Sequence, residues 1–62
     1  MADRDAYIET DRGRHVATLT VDQDAEDDEL RELAEDYLRG RGYDKGRRRE
    51  HRIRLGRREV RL

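Results

Sequence analysis

The run Leu30, Leu33, Ala34, Tyr37 and Leu38 spaces apolar residues at i, i+3, i+4, i+7 and i+8, and on both sides of it the apolar residues alternate instead. That order of periods predicts a single amphipathic helix laid over strands that precede and follow it. The constraint is severe because apolar material is scarce. Only 32% of the 62 residues are hydrophobic and 50% are charged, a composition near the disordered regime. The net charge of -1 is too small to expand the chain by self-repulsion, so pattern decides. One small domain over residues 1–62 is expected. Its core is thin, since so short a chain buries only about 60% of its unfolded surface.

Before the helix, residues 5–21 read as a hairpin around Asp11-Arg12-Gly13-Arg14. A two-residue Arg12-Gly13 loop sets Ile8 opposite Ala17 and Ala6 opposite Leu19. Ala6, Ile8, Ala17, Leu19 and Val21 then share one face, and Tyr7, Glu9, Val16, Thr18 and Thr20 the other. A three-residue loop with Gly13 in the left-handed conformation aligns Ile8 with Val16 and buries less apolar area, so the first register is expected. The helix is expected over about 24–39. Asp22 or Asp24 caps it, Glu26-Asp27-Asp28-Glu29 occupy its positive end, and Gly40 or Gly42 stops it. A linker over about 40–49 leads to a second hairpin over about 50–62. There Gly56-Arg57 suits a type II′ turn that pairs Leu55 with Arg58, Arg54 with Glu59, Ile53 with Val60 and Arg52 with Arg61. Ile53, Leu55, Val60 and Leu62 point inward. Arg54 meets Glu59 across the ladder, whereas Arg52 and Arg61 oppose each other with a repulsion of up to about 1 kcal/mol.

The fold class is therefore α+β: a ββαββ order, with a four-stranded sheet of two hairpins and one helix packed on one face. The right-handed crossover rule makes the first and last strands the expected parallel neighbours at the centre. In this order of elements the chain resembles the β-grasp layout of small immunoglobulin-binding domains. No motif residue is shared, so the resemblance implies a layout and no activity.

The absence of cysteine excludes a disulfide framework and a thiolate zinc site and favours an intracellular, cytoplasmic setting. No apolar run reaches the length of a signal-peptide core or a membrane span, so no membrane partner is expected. Catalysis has little to work with. His15 and His51 are the only histidines, there is no serine or cysteine nucleophile, and Asp27-Asp28 and Glu35-Asp36 lie on a solvated helix without the burial that separates carboxylate pKa values. The acidic run lacks the spacing and glycine of an EF-hand loop. The chain reads as a non-enzyme with no cofactor and no metal.

Charge is the remaining organised feature. Residues 1–38 hold 4 basic and 13 acidic side chains, and residues 39–62 hold 11 and 3. On the expected fold the acids line the helix, and the arginines project from the open sheet face or its rim. That distribution points to contact with a nucleic-acid backbone through the arginine-rich C-terminal hairpin, by charge-assisted hydrogen bonds and counterion release. The candidate contacts are Arg47, Arg48, Arg49, Arg52, Arg57 and Arg61, with Tyr7 as the one tyrosine placed to stack on a base. The alternative is protein recognition. A charged partner or a second copy of the chain could dock on the acidic helix and basic sheet, or pair with an exposed strand edge.

Overall fold

The computed structural model describes residues 2–62. Strands β1 (Asp3–Thr10) and β2 (His15–Asp22) form the first hairpin and helix α1 (Asp27–Gly40) follows. A one-turn helix α2 (Lys45–Arg48) then precedes β3 (His51–Leu55) and β4 (Arg58–Arg61). The four strands make one sheet in the order β2-β1-β3-β4. The fold is α+β with the ββαββ order that the alternation of periods implies.

The first hairpin combines features of both loop alternatives. Thr10 bonds to Arg14, with Thr10 N–H donating to the Arg14 carbonyl at 2.9 Å, and Gly13 N–H donates to the Thr10 carbonyl at 2.8 Å. The loop is thus Asp11-Arg12-Gly13, with Gly13 at φ 84°, a conformation that a side chain would strain. A bulge between Ile8 and Glu9 then absorbs one residue of β2, so Glu9 lies opposite His15 but Ile8 opposite Ala17 and Ala6 opposite Leu19. Burial of the apolar face overrides the turn, and the bulge reconciles the two. The second hairpin carries all four expected pairs. Gly56 has φ 60° while, among the described residues, no non-glycine residue has positive φ, as a type II′ turn requires.

The expected parallel pairing at the centre of the sheet is overturned. The strand beside β1 is β3, paired antiparallel with Tyr7 opposite Arg54, Ile8 opposite Ile53, Glu9 opposite Arg52 and Thr10 opposite His51. The first and last strands are therefore not neighbours, and the centre of the sheet is not parallel. The crossover joins β2 to β3, which run parallel to each other on either side of β1. Two interactions favour this order: the fully buried Ile8–Ile53 pair and the fit of Glu9 among the arginines of β3.

The core consists of Ala6, Ile8, Ala17 and Val21 from the first hairpin, Ala25, Leu30, Ala34 and Leu38 from the helical layer, and Ile53, Leu55 and Val60 from the second. Helix α1 packs chiefly over β3 and β4, on the apolar side of the sheet. Leu33, expected in this core, is 39% exposed. Leu30, Ala34 and Leu38 form the buried stripe, and Leu33 lies on its flank. Neither Asp22 nor Asp24 caps the helix. Glu26 is the N-cap without a side-chain bond, and the Asp22 carboxylate instead accepts the Asp24 N–H at 2.8 Å. The C-terminus closes as a Schellman motif, with Tyr43 N–H donating to Leu38 O and Gly42 N–H to Arg39 O, both at 3.0 Å, and Gly42 at φ 89°. The expected linker contains α2, whose N-cap Asp44 accepts the Arg47 N–H at 2.8 Å. No helix among the described residues is long and apolar enough to cross a membrane.

Candidate functional site: a basic pole and a neutralised sheet face

The pairing of β1 with β3 decides which arginines are free. On the open sheet face Glu9 is 9% exposed. Its carboxylate accepts from Arg54 Nη2 at 3.2 Å and from Arg54 Nε and Arg52 Nε at 3.4 Å. Arg52 Nη1 reaches on to Glu59 Oε1 at 2.9 Å. Hydrogen bonds from Arg54, aided by its charge and by Arg52 and opposed by burial, hold the Glu9 carboxyl below its ordinary pKa, and the same bonds raise that of Arg54. The expected register Arg54–Glu59 is present, but the charges pair diagonally: Arg54 goes to Glu9, and Glu59 takes Arg52. The reading of Arg52 as a cation with no carboxylate beside it is corrected accordingly. It opposes Arg61 in the ladder while bonded to two acids.

The other candidate residues separate in space. Tyr7 is half-buried, with the Arg54 guanidinium 5.3 Å from its ring centroid and His15 edge-on at 6.1 Å. The Arg54 guanidinium thus already lies over its ring. Arg48 folds inward, donating from Nη1 to the Tyr43 carbonyl at 2.8 Å, and its Nε is buried with no partner. Arg57 sits in the β3–β4 turn at one end of the sheet, whereas Arg47 and Arg49 lie at the other end. Arg61 is exposed.

At that second end the chain builds a groove of about 500 Å³ between the first hairpin's tip, the C-terminus of α1 and α2. Arg14, Arg41 and Arg47 line it, together with Tyr37, Tyr43 and His51. Arg41 stacks over Tyr37 at 5.8 Å and Arg47 over Tyr43 at 5.2 Å. His51 is 5% exposed. Its Nδ1 donates to the Arg47 carbonyl at 2.8 Å, and its ring meets Tyr43 edge-on at 5.2 Å. Two aromatic rings thus lie under two of the guanidiniums. Among the described residues neither Arg14, Arg41 nor Arg47 has a carboxylate within ion-pair distance. Glu50 is the one acid that lines the groove.

This groove belongs to a wider pole. The tip 11–14 and the segment 39–50, which meet there, carry eight basic and three acidic side chains. The opposite end, made of 2–5, 22–29 and 56–58, carries eight acidic and three basic ones. The charge asymmetry therefore runs along the strands, from an acidic end to a basic end, and not from helix face to sheet face. Arg14, Arg41, Tyr43 and His51 escaped the sequence reading because only the antiparallel β1–β3 pairing carries the first hairpin's tip to α2. The one local signal was Arg41-Gly42-Tyr43-Asp44, a helix stop followed at once by a capping residue. Among the described residues no group of three or more histidines and carboxylates is placed to hold a metal ion. The chain matches no family model, no curated protein and no solved structure.

Proposed function

We propose that the protein is a small non-enzymatic binding module whose basic pole contacts a nucleic-acid backbone. The observation that carries the reading is the convergence of Arg14, Arg41 and Arg47 on one groove with no carboxylate partner. Guanidiniums in that state offer their donors to phosphate oxygens, and each phosphate neutralised releases condensed counterions. Arg49 and Lys45 extend the same surface. The open face of the C-terminal hairpin is a poorer candidate because Glu9 and Glu59 already occupy Arg52 and Arg54.

Fluorescence anisotropy with labelled single-stranded DNA, single-stranded RNA and duplex DNA, at low and physiological salt, tests this reading. Binding should weaken with salt. The triple variant Arg14→Gln, Arg41→Gln, Arg47→Gln should flatten the slope of log K against log salt by about 2 on single strands, if each arginine holds one phosphate. Arg57→Gln, at the far end, should leave the slope unchanged. Absence of binding at low salt, or a triple variant that binds with the parent's slope, refutes the proposal.

A further inference from the structure

The two edges of the sheet are built differently. β4 is four residues long and reads Arg-Glu-Val-Arg, and its margin is occupied. Arg31 Nε donates to the Arg61 carbonyl at 3.2 Å, and Arg58 reaches the Ala25 carbonyl at 2.6 Å and Asp27 at 3.4 Å. Short length and inset charges are how an edge strand is kept from pairing with another chain. β2 lacks both. It runs for eight residues, its stretch Val16-Ala17-Thr18-Leu19-Thr20-Val21 carries no charge, and β1 is its one neighbour in the sheet. The bulge near His15 is confined to one end.

The layer above β2 is also incomplete. Arg31 and Asp27, which reach β4, mark one flank of α1. Leu33 lies on the opposite flank with Tyr37, whose groove includes His15 and Val16 of β2. On this side Val16 and Leu19 are half-exposed and Leu33 is exposed. Apolar surface and an unpaired backbone edge coincide.

We propose that β2 is the interface of a two-fold homodimer in which the β2 strands of two copies pair antiparallel and join both sheets into one. Charge selects a second copy as the occupant. Because the asymmetry runs along the strands, antiparallel pairing lays the basic end of each copy beside the acidic end of the other. Arg12 and Arg14 at the hairpin tip then approach Asp22, Asp24 and Glu26 of the partner subunit, and the contact occurs twice. None of these five side chains has an ion-pair partner among the described residues. A two-fold axis at Leu19 sets Leu19 opposite the partner's Leu19, Ala17 opposite the partner's Val21 and Thr18 opposite the partner's Thr20. Like faces meet, as strand pairing demands. The inference does not rest on the nucleic-acid reading, although the two share Arg14.

Sedimentation equilibrium of the full chain across micromolar to millimolar concentration tests it. The expected result is a monomer–dimer equilibrium from 7.4 kDa to twice that mass. Arg12→Glu and Glu26→Arg, which face each other across the pair in this register, are surface changes that should each weaken the dimer, by like-charge contact at both ends. Mixed in equal amounts, the two variants should restore it as a heterodimer, because each altered end then meets an opposite charge. Leu19→Lys should abolish dimerisation while circular dichroism reports an unchanged fold. A monomer throughout, an open-ended series of larger species, or failure of the mixture to restore dimer overturns the proposal.

Discussion

Arg52 shows how a single pairing reverses a sequence-based expectation. Facing Arg61 across the ladder, it has the register of an unrelieved like-charge pair, and its removal ought to stabilise the fold. Held instead by Glu9 and Glu59, it contributes to stability, and Arg52→Gln should lower the unfolding free energy by about 1 kcal/mol in urea denaturation. Glu9 adds a pH dependence of definite sign. Its carboxyl is held below its ordinary pKa chiefly by hydrogen bonds from Arg54. Its contribution is therefore fully present above the unfolded value of about 4.3 and is lost as pH falls through the lower folded value. Glu9→Gln should be less stable than the parent at neutral pH, and its stability should fall less steeply below pH 4.3. Urea midpoints measured as a function of pH check both statements.

At the scale of the elements, the helix divides its leucines by face. Leu38 is fully buried and Leu33 is not, so Leu38→Ala should cost about 2–5 kcal/mol, a large share of the stability of so small a chain. Leu33→Ala should cost clearly less. Equal losses in the two variants would show that α1 packs on another face. Gly42→Ala should cost about 1 kcal/mol although nothing lies within 4 Å of the added carbon, because the Schellman closure requires its left-handed backbone. Both hairpins and the helix were legible because their signals are local: alternation fixes the faces, Gly56 fixes a turn, and Leu30 to Leu38 repeat at helical spacing. Even the bulge follows that logic, since it restores the pairing of Ile8 with Ala17. The neighbour of β1 was not legible. It depends on Ile53 and the Arg52–Arg54 pair finding Ile8 and Glu9 from more than forty residues away, a tertiary choice that no period encodes. The turn of α2 was hidden for another reason, since three glycines and six cations among residues 39–49 resemble a solvated linker, and Asp44 alone announces a helix start.

Over the whole molecule, the sequence reading found the charge asymmetry but assigned it the wrong axis. A near-neutral chain carries an acidic end built from the start of α1 and the strand ends near it, and a basic end where the first hairpin's tip meets α2. Between them the sheet face neutralises itself through Glu9, Arg52, Arg54 and Glu59. On the proposed function, a polyanion would be drawn to the basic end and repelled by the other, so that the field orients the molecule before contact is made. The most direct test is a two-dimensional 1H–15N NMR titration of the chain with a short single-stranded oligonucleotide at low salt. Shift changes should concentrate at Arg14, Arg41, Arg47, Tyr43 and His51 and vanish as salt is raised. Changes centred instead on Tyr7, Arg52 and Arg54 of the sheet face, or no changes at all, would contradict it.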